Sequence, residues 1–143
     1  MTLVKSAKSK LMSEMQAISE LHPSAAIRHL DATNYNIAGI WARELHIPAD
    51  VLIVGAMYTK PHFLSISKGS LVIDIDGRPM VVTAPAVLPI QAWTQKAFVA
   101  IEDSTITTFI QSEAACIDDM LREVTTSNPE DFPNKDGLTL LSA

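Results

Sequence analysis

Residues 62–83 read His-Phe-Leu-Ser-Ile-Ser-Lys-Gly-Ser-Leu-Val-Ile-Asp-Ile-Asp-Gly-Arg-Pro-Met-Val-Val-Thr, and this stretch decides the fold. Side chains alternate between the two faces of a strand, so His62, Leu64 and Ile66 share one face of a run over His62–Ser67. Lys68-Gly69 interrupts that run, and Leu71–Ile75 forms the next. Asp76-Gly77 suits a tight hairpin turn, because glycine tolerates positive φ. The chain then resumes an extended pattern over Pro79–Thr83.

The same texture spreads outward. Ile40–Ile47 and Val51–Tyr58 precede this stretch, and Lys96–Glu102 and Thr105–Gln111 follow it, with Pro48, Pro85 and Pro89 delimiting other runs. Short runs rich in Val, Ile, Thr and aromatics between turn signals predict a sandwich or barrel rather than a parallel α/β sheet. The expectation is a mainly β protein, with a sandwich or barrel over residues 38–111. In front of it, Val4, Ala7, Leu11, Met15 and Ile18 recur at three- and four-residue spacing, which predicts an amphipathic helix over 1–22. Pro23 breaks it, and 23–37 reads as a connector with Asn34 and Asn36 as turn candidates. Helical spacing returns over 113–124, so 112–143 is expected to be a C-terminal helix and a tail.

Composition bounds the class. The chain has 143 residues, 48% hydrophobic and 19% charged, the balance of one folded domain. A net charge of −5 argues against general nucleic-acid affinity. The lone Cys116 excludes an intrachain disulfide and, in its apolar-looking stretch, is expected to be a buried thiol. No run approaches the ~20 apolar residues of a membrane helix, and no signal-peptide core follows Lys5, Lys8 and Lys10. The expected location is the cytoplasm of a (host) cell, or a virion assembled there. Cations predominate over 1–30 and anions over 113–136, so the two arms could pair within the chain or between subunits, or be two solvated faces.

A resemblance rests on Ala42-Arg43-Glu44-Leu45-His46-Ile47-Pro48-Ala49, on Gly55-Ala56-Met57-Tyr58-Thr59-Lys60-Pro61-His62, on Ser65-Ile66-Ser67-Lys68-Gly69, and on Ala100-Ile101-Glu102-Asp103 with Thr107-Thr108. In these pieces the chain resembles small cupin-like proteins of bacteriophages and related bacterial genomes, with the RmlC-like jelly roll. The resemblance covers 38–111 and implies a single cupin or jelly-roll β-barrel of about eight strands, one that commonly holds a divalent metal on imidazoles and a carboxylate. Where the look-alikes carry those ligands, this chain has Tyr58, Pro61 and His62, and a later histidine position falls near Ile110. The stretch around Ala92-Trp93 also lacks the second cupin motif. A lone imidazole does not hold a metal, so the resemblance implies a degenerate site: no metal, no cofactor and no catalytic residue is expected.

Four residues are the candidates for a ligand pocket: His62, Tyr58, Arg43 and Trp93. If inward, His62 is either a hydrogen-bonded core histidine or a pocket group paired with Tyr58, four residues away on what reads as the same face. Arg43 alternates with Trp41 and Leu45. If internal it needs a partner, either an acid such as Asp74 or a ligand carboxylate or phosphate. Trp93 either caps the barrel end or stacks on a ligand or neighbouring subunit. Glu44 and His46 fall on the face opposite Arg43. Asp74 and Asp76 form a carboxylate pair only on paper, since the turn with Gly77 uses Asp76. The leading expectation is a non-enzymatic scaffold or assembly protein, forming a homo-oligomer, by default a dimer, or part of a larger assembly such as a bacteriophage virion. The alternatives are a binder of a small anionic ligand, and a metal-independent isomerase with His62 as base and Tyr58 as acid.

Overall fold

The Asp76-Gly77 turn forms as expected, with φ of 51° and 82°, and joins two strands that here become β7 (Ser70–Ile75) and β8 (Arg78–Thr83). The computed structural model describes residues 26–27 and 30–126. The helix expected over 1–22 and the tail from 127 lie outside the described residues. In chain order the remaining strands are β1 (Ala26–Ile27), β2 (Thr33–Ile37), β3 (Ile40–Ile47), β4 (Val51–Val54), β5 (Met57–Tyr58), β6 (His62–Lys68), β9 (Ala86–Ile90), β10 (Lys96–Ala100), β11 (Ser104–Gln111) and β12 (Thr125–Thr126). Helix α1 (Ile117–Val124) precedes β12.

Two five-stranded sheets carry the fold, ordered β1-β4-β10-β7-β8 and β2-β3-β11-β6-β9, and β12 pairs with β5 as a small third sheet. All pairings are antiparallel except β1 with β4. Outside the hairpins β2–β3 and β7–β8, the chain changes sheet from one strand to the next, as in a jelly roll. Period-2 alternation fills the space between them. Val51, Ile53, Leu71, Ile73, Phe98 and Ala100 point inward from the first sheet, and they meet Ile47, Leu64, Ile66, Ile90 and Ile106 from the second. The strands β4, β10 and β7 of the first sheet are also buried on their outer side, through Leu52, Val72, Ala97 and Val99, whereas β8 at its edge is largely exposed. These three strands therefore read as largely apolar runs, while β6 and β9 of the second sheet alternate.

Several boundaries differ from the sequence reading, each for a physical reason. Residues 33–37, read as connector, form β2, and Asn34 and Asn36 lie within it; Ala38-Gly39 makes the turn, with φ of 50° and 81°. The run Val51–Tyr58 is split at Gly55-Ala56 into β4 and β5. Residues 86–90 form a strand despite Pro89, because β9 is a sheet edge where a missing N–H costs no ladder bond. Helix α1 begins at Ile117, four residues later than expected, and Cys116 is exposed rather than buried because it occupies the N-cap position in extended conformation. The apolar face of α1 (Met120, Val124) packs on Trp41, Tyr58 and Ile110 at one end of the jelly roll.

Gly69 makes the corner between the sheets. Its φ is +88°, and an added Cβ would stand 2.5 Å from the Asp103 carbonyl oxygen and 2.7 Å from the Ser104 Cα, both backbone. Gly77 has a similar φ of +82° but open space around it. Gly77→Ala should therefore cost only the left-handed penalty, about 1 kcal/mol, and Gly69→Ala clearly more, above ~2 kcal/mol, in urea unfolding. Equal losses at the two positions would contradict this account of the corner.

Candidate functional site

Three strand ends converge at the end of the jelly roll that α1 covers: the last residue of β5, the first of β6 and the first of β10. They bring together Tyr58, His62 and Lys96, which are 5%, 6% and 2% exposed. His62 enters by the parity it shares with Leu64 and Ile66; the sequence groups the three on one face, and the structure turns that face inward. Lys96 enters by the same rule, through Phe98 and Ala100.

The hydrogen bonds fix the chemistry of the cluster. His62 Nδ1 lies 3.0 Å from the Lys60 carbonyl oxygen, which can only accept, so Nδ1 carries the proton. The lone pair is then on Nε2, and Lys96 Nζ donates to it at 2.6 Å. The ammonium also lies 4.9 Å from the centre of the Tyr58 ring, whose π face attracts a cation. The Tyr58 and His62 rings are 4.6 Å apart between centroids, at 45°. They meet across two strands, β5 and β6, not along one strand. The Tyr58 hydroxyl accepts from Arg43 Nη1 at 2.9 Å, and Arg43 Nε donates to Asn34 Oδ1 at 3.1 Å.

Electrostatics follow from burial. Desolvation pushes the Lys96 ammonium down from 10.5 to about 7. His62 falls from 6.5 to about 4, through desolvation first and then the neighbouring Lys96 charge, with the Lys60 carbonyl opposing. At neutral pH the imidazole is a neutral acceptor and the amine is poised between its two forms. Neither Lys96 nor Arg43 forms an ion pair among the described residues.

The four sequence candidates fare differently. His62 and Tyr58 are brought together, and Arg43 joins them through the Tyr58 hydroxyl. The acid suggested for Arg43 is wrong: Asp74 alternates with Leu71 and Ile73 to the outer side of the opposite sheet, where its Oδ1 accepts from the Gly77 N–H at 2.7 Å. Trp93 is half-buried in the loop before β10 with φ of 64°, and its backbone N–H donates to the Tyr58 carbonyl at 2.8 Å, so it supports the cluster through its main chain. Glu44 and His46 lie on the outer face as expected, 3.4 Å apart. Asp76 is taken up near the turn, accepting from the Gln95 N–H at 2.9 Å. Lys96 is the residue that sequence reasoning missed. Its signal was there: a lysine two and four residues before inward Phe98 and Ala100.

These residues do not fit the metal that the fold commonly carries. No group of three or more His, Cys, Asp or Glu that could hold an ion comes together among the described residues. The one imidazole present directs its lone pair at an ammonium, which repels a second cation. A separate cleft of about 220 Å³ lies at the polar end of the second sheet, lined by His46, Lys68, Asp103 and Thr105 among others. That is smaller than the ~300 Å³ at which small-molecule pockets begin.

Lys96 makes stability depend on pH with a definite sign. Its folded pKa lies below the unfolded value, so the unfolded chain binds more protons between pH 7 and 10.5, and stability rises with pH across that window. His62 adds the same trend between about pH 4 and 6.5, with stability falling as acid is added. Lys96→Met should remove the upper dependence: in urea titrations the wild type should gain on the variant from pH 7 to 10, while His62 stays neutral in both. Parallel pH profiles would contradict the burial of the charged amine.

Comparison with known proteins agrees with the geometry. No protein-family model and no curated protein matches the sequence. Solved structures do. A cupin superfamily protein from Desulfitobacterium hafniense superposes with a TM-score of 0.50 at 12% identity, over 62% of this chain and 83% of that one. The plu4264 protein from Photorhabdus luminescens gives 0.54 at 12% identity, over 71% of this chain and 91% of that one. A putative ethanolamine utilization protein Q from Salmonella typhimurium gives 0.50 at 12%, over 59% and 70%. At such low identity the likeness speaks for architecture, and the architecture of this chain is the cupin-like jelly roll.

Proposed function

We propose that this chain is a non-enzymatic cupin-like scaffold, a module that works through its outer surfaces and not through its interior. The observation that carries this reading is the 2.6 Å contact between Lys96 Nζ and His62 Nε2. In a jelly roll of this kind the inward imidazole is the group with which metal chemistry would begin. Here its lone pair is satisfied from within the chain, by a side chain 2% exposed. A base whose acceptor is already filled, with its pKa near 4, is a poor proton abstractor at neutral pH. That weighs against the isomerase alternative. Assembly is the natural role for a rigid β module. A bacteriophage virion is the finer form of this reading, and it rests on the resemblance alone.

One observation favours a second reading, a binder of small anions. Arg43 is half-buried, its partners are the neutral Asn34 and Tyr58, and Lys96 lies beyond the Tyr58 ring. A carboxylate or phosphate reaching Arg43 would find an uncompensated positive field. The two readings separate in thermal unfolding of the intact chain, because a ligand that binds the folded state raises the melting temperature by mass action. The scaffold reading expects no shift with Mn²⁺, Ni²⁺ or Zn²⁺, nor with phosphate, sulfate or citrate in millimolar excess. A rise of several degrees with one anion, lost in Arg43→Met, would transfer the assignment to the binder. A rise with one metal, lost in His62→Ala, would overturn the scaffold reading.

A further inference from the structure

The outer face of the second sheet carries an apolar band, flanked on one side by the polar row Thr33, Glu44, Thr107 and Ser65. Register aligns Tyr35 with Ala42, Ala42 with Phe109, Phe109 with Phe63, and Phe63 with Pro89, so one row crosses all five strands. The row holds no charge. Tyr35 is 55% exposed, Phe63 54% and Phe109 40%. Beside it, Ile37 and Ile40 pair across the β2–β3 hairpin at 74% and 54% exposure. Single exposed apolar residues need no explanation, but a contiguous patch this large on one face marks an interaction site.

We infer that this face is an isologous interface with a second copy of the same chain, an inference that rests on the scaffold reading above. Three features point to a copy of itself. The first is size. Five strands spaced ~4.8 Å apart, the longest about 27 Å, give a footprint of ~600 Å². That is of the order of the ~800 Å² per partner that a stable interface buries. The second is composition: aromatic and branched side chains occupy the centre, and the polar Glu44, His46 and Lys68 sit toward one end, as core and rim do in protein interfaces. The third is shape. Ala42 is a notch between the larger Tyr35 and Phe109. Under a two-fold axis an aromatic of each copy fills the notch of the other, so that one surface is complementary to itself. Two such sheets pack face to face about 10 Å apart, nearly aligned.

The test is the mass of the intact chain in solution across a dilution series, by sedimentation equilibrium, with Phe63→Glu and Phe109→Glu as variants. Both positions are exposed, so a folded variant is expected, and circular dichroism with a cooperative melt verifies it; Tyr35→Ser replaces either one that does not fold. In the dimer each glutamate would be buried among apolar side chains. The expected result is a dimer that each variant weakens on the order of 100-fold, since a charge taken out of water into an apolar contact without a partner is strongly unfavourable. A wild-type chain that is monomeric throughout overturns the inference. So does a dimer that the variants leave unchanged, or a stoichiometry without a two-fold. None of these outcomes touches the scaffold reading, which stands or falls on the melting shifts with metals and anions.

Discussion

An ammonium group inside an apolar β-sandwich is the constraint around which this molecule is arranged. Lys96 cannot reach solvent from the first position of β10, so its charge must be met locally or given up. The chain does some of both. His62 presents a lone pair, Tyr58 presents its π face, and desolvation lowers the basicity of the amine until a neutral form is accessible. Each partner is itself oriented from outside the cluster. The Lys60 carbonyl sets the tautomer of His62, while Arg43 and the Trp93 backbone hold Tyr58. Lys60 in turn is anchored through its own Nζ to the Gln111 carbonyl and to Glu123 on α1. The polar interior is thereby tied to the helix that covers this end of the jelly roll.

The two sheets play different parts. The first is buried on both sides along β4, β7 and β10, which contribute most of its apolar mass. The second is buried on one side and offers the other to solvent, with aromatics where serines or threonines would suffice for solubility. This asymmetry gives the fold a closed half and a presenting half. An interior held by the protein's own cation and an apolar band on the exterior are what the proposed scaffold reading calls for.

The fold was legible where residues have one strong local meaning. Asp76-Gly77 predicts its hairpin, and alternation groups His62, Leu64 and Ile66 on one face, though not the direction in which that face points. Legibility failed where a local signal was overridden by position in the sheet. Pro89 reads as a breaker, but on an edge strand it is harmless. Asn34 and Asn36 read as turns, but the adjacent Ala-Gly pair accepts the positive φ and leaves them to pair with β3. The site was half legible. Strand parity places His62 and Arg43, whereas the choice of Asp74 as partner presumed that both faced one interior. Lys96 escaped notice because lysine is ordinarily a surface residue. Only its spacing from Phe98 and Ala100 argues otherwise.

The poised amine has a consequence for covalent chemistry. Acylating reagents attack free amines, not ammonium ions, and near pH 7 an ordinary lysine is almost wholly protonated while Lys96 is not. The burial that lowers its basicity also keeps reagents away, and an opening that admitted a reagent would return the amine to ordinary basicity. The rate at which Lys96 acquires an acyl group would then clock the breathing of the covered end, and its final yield would record how often that end has opened.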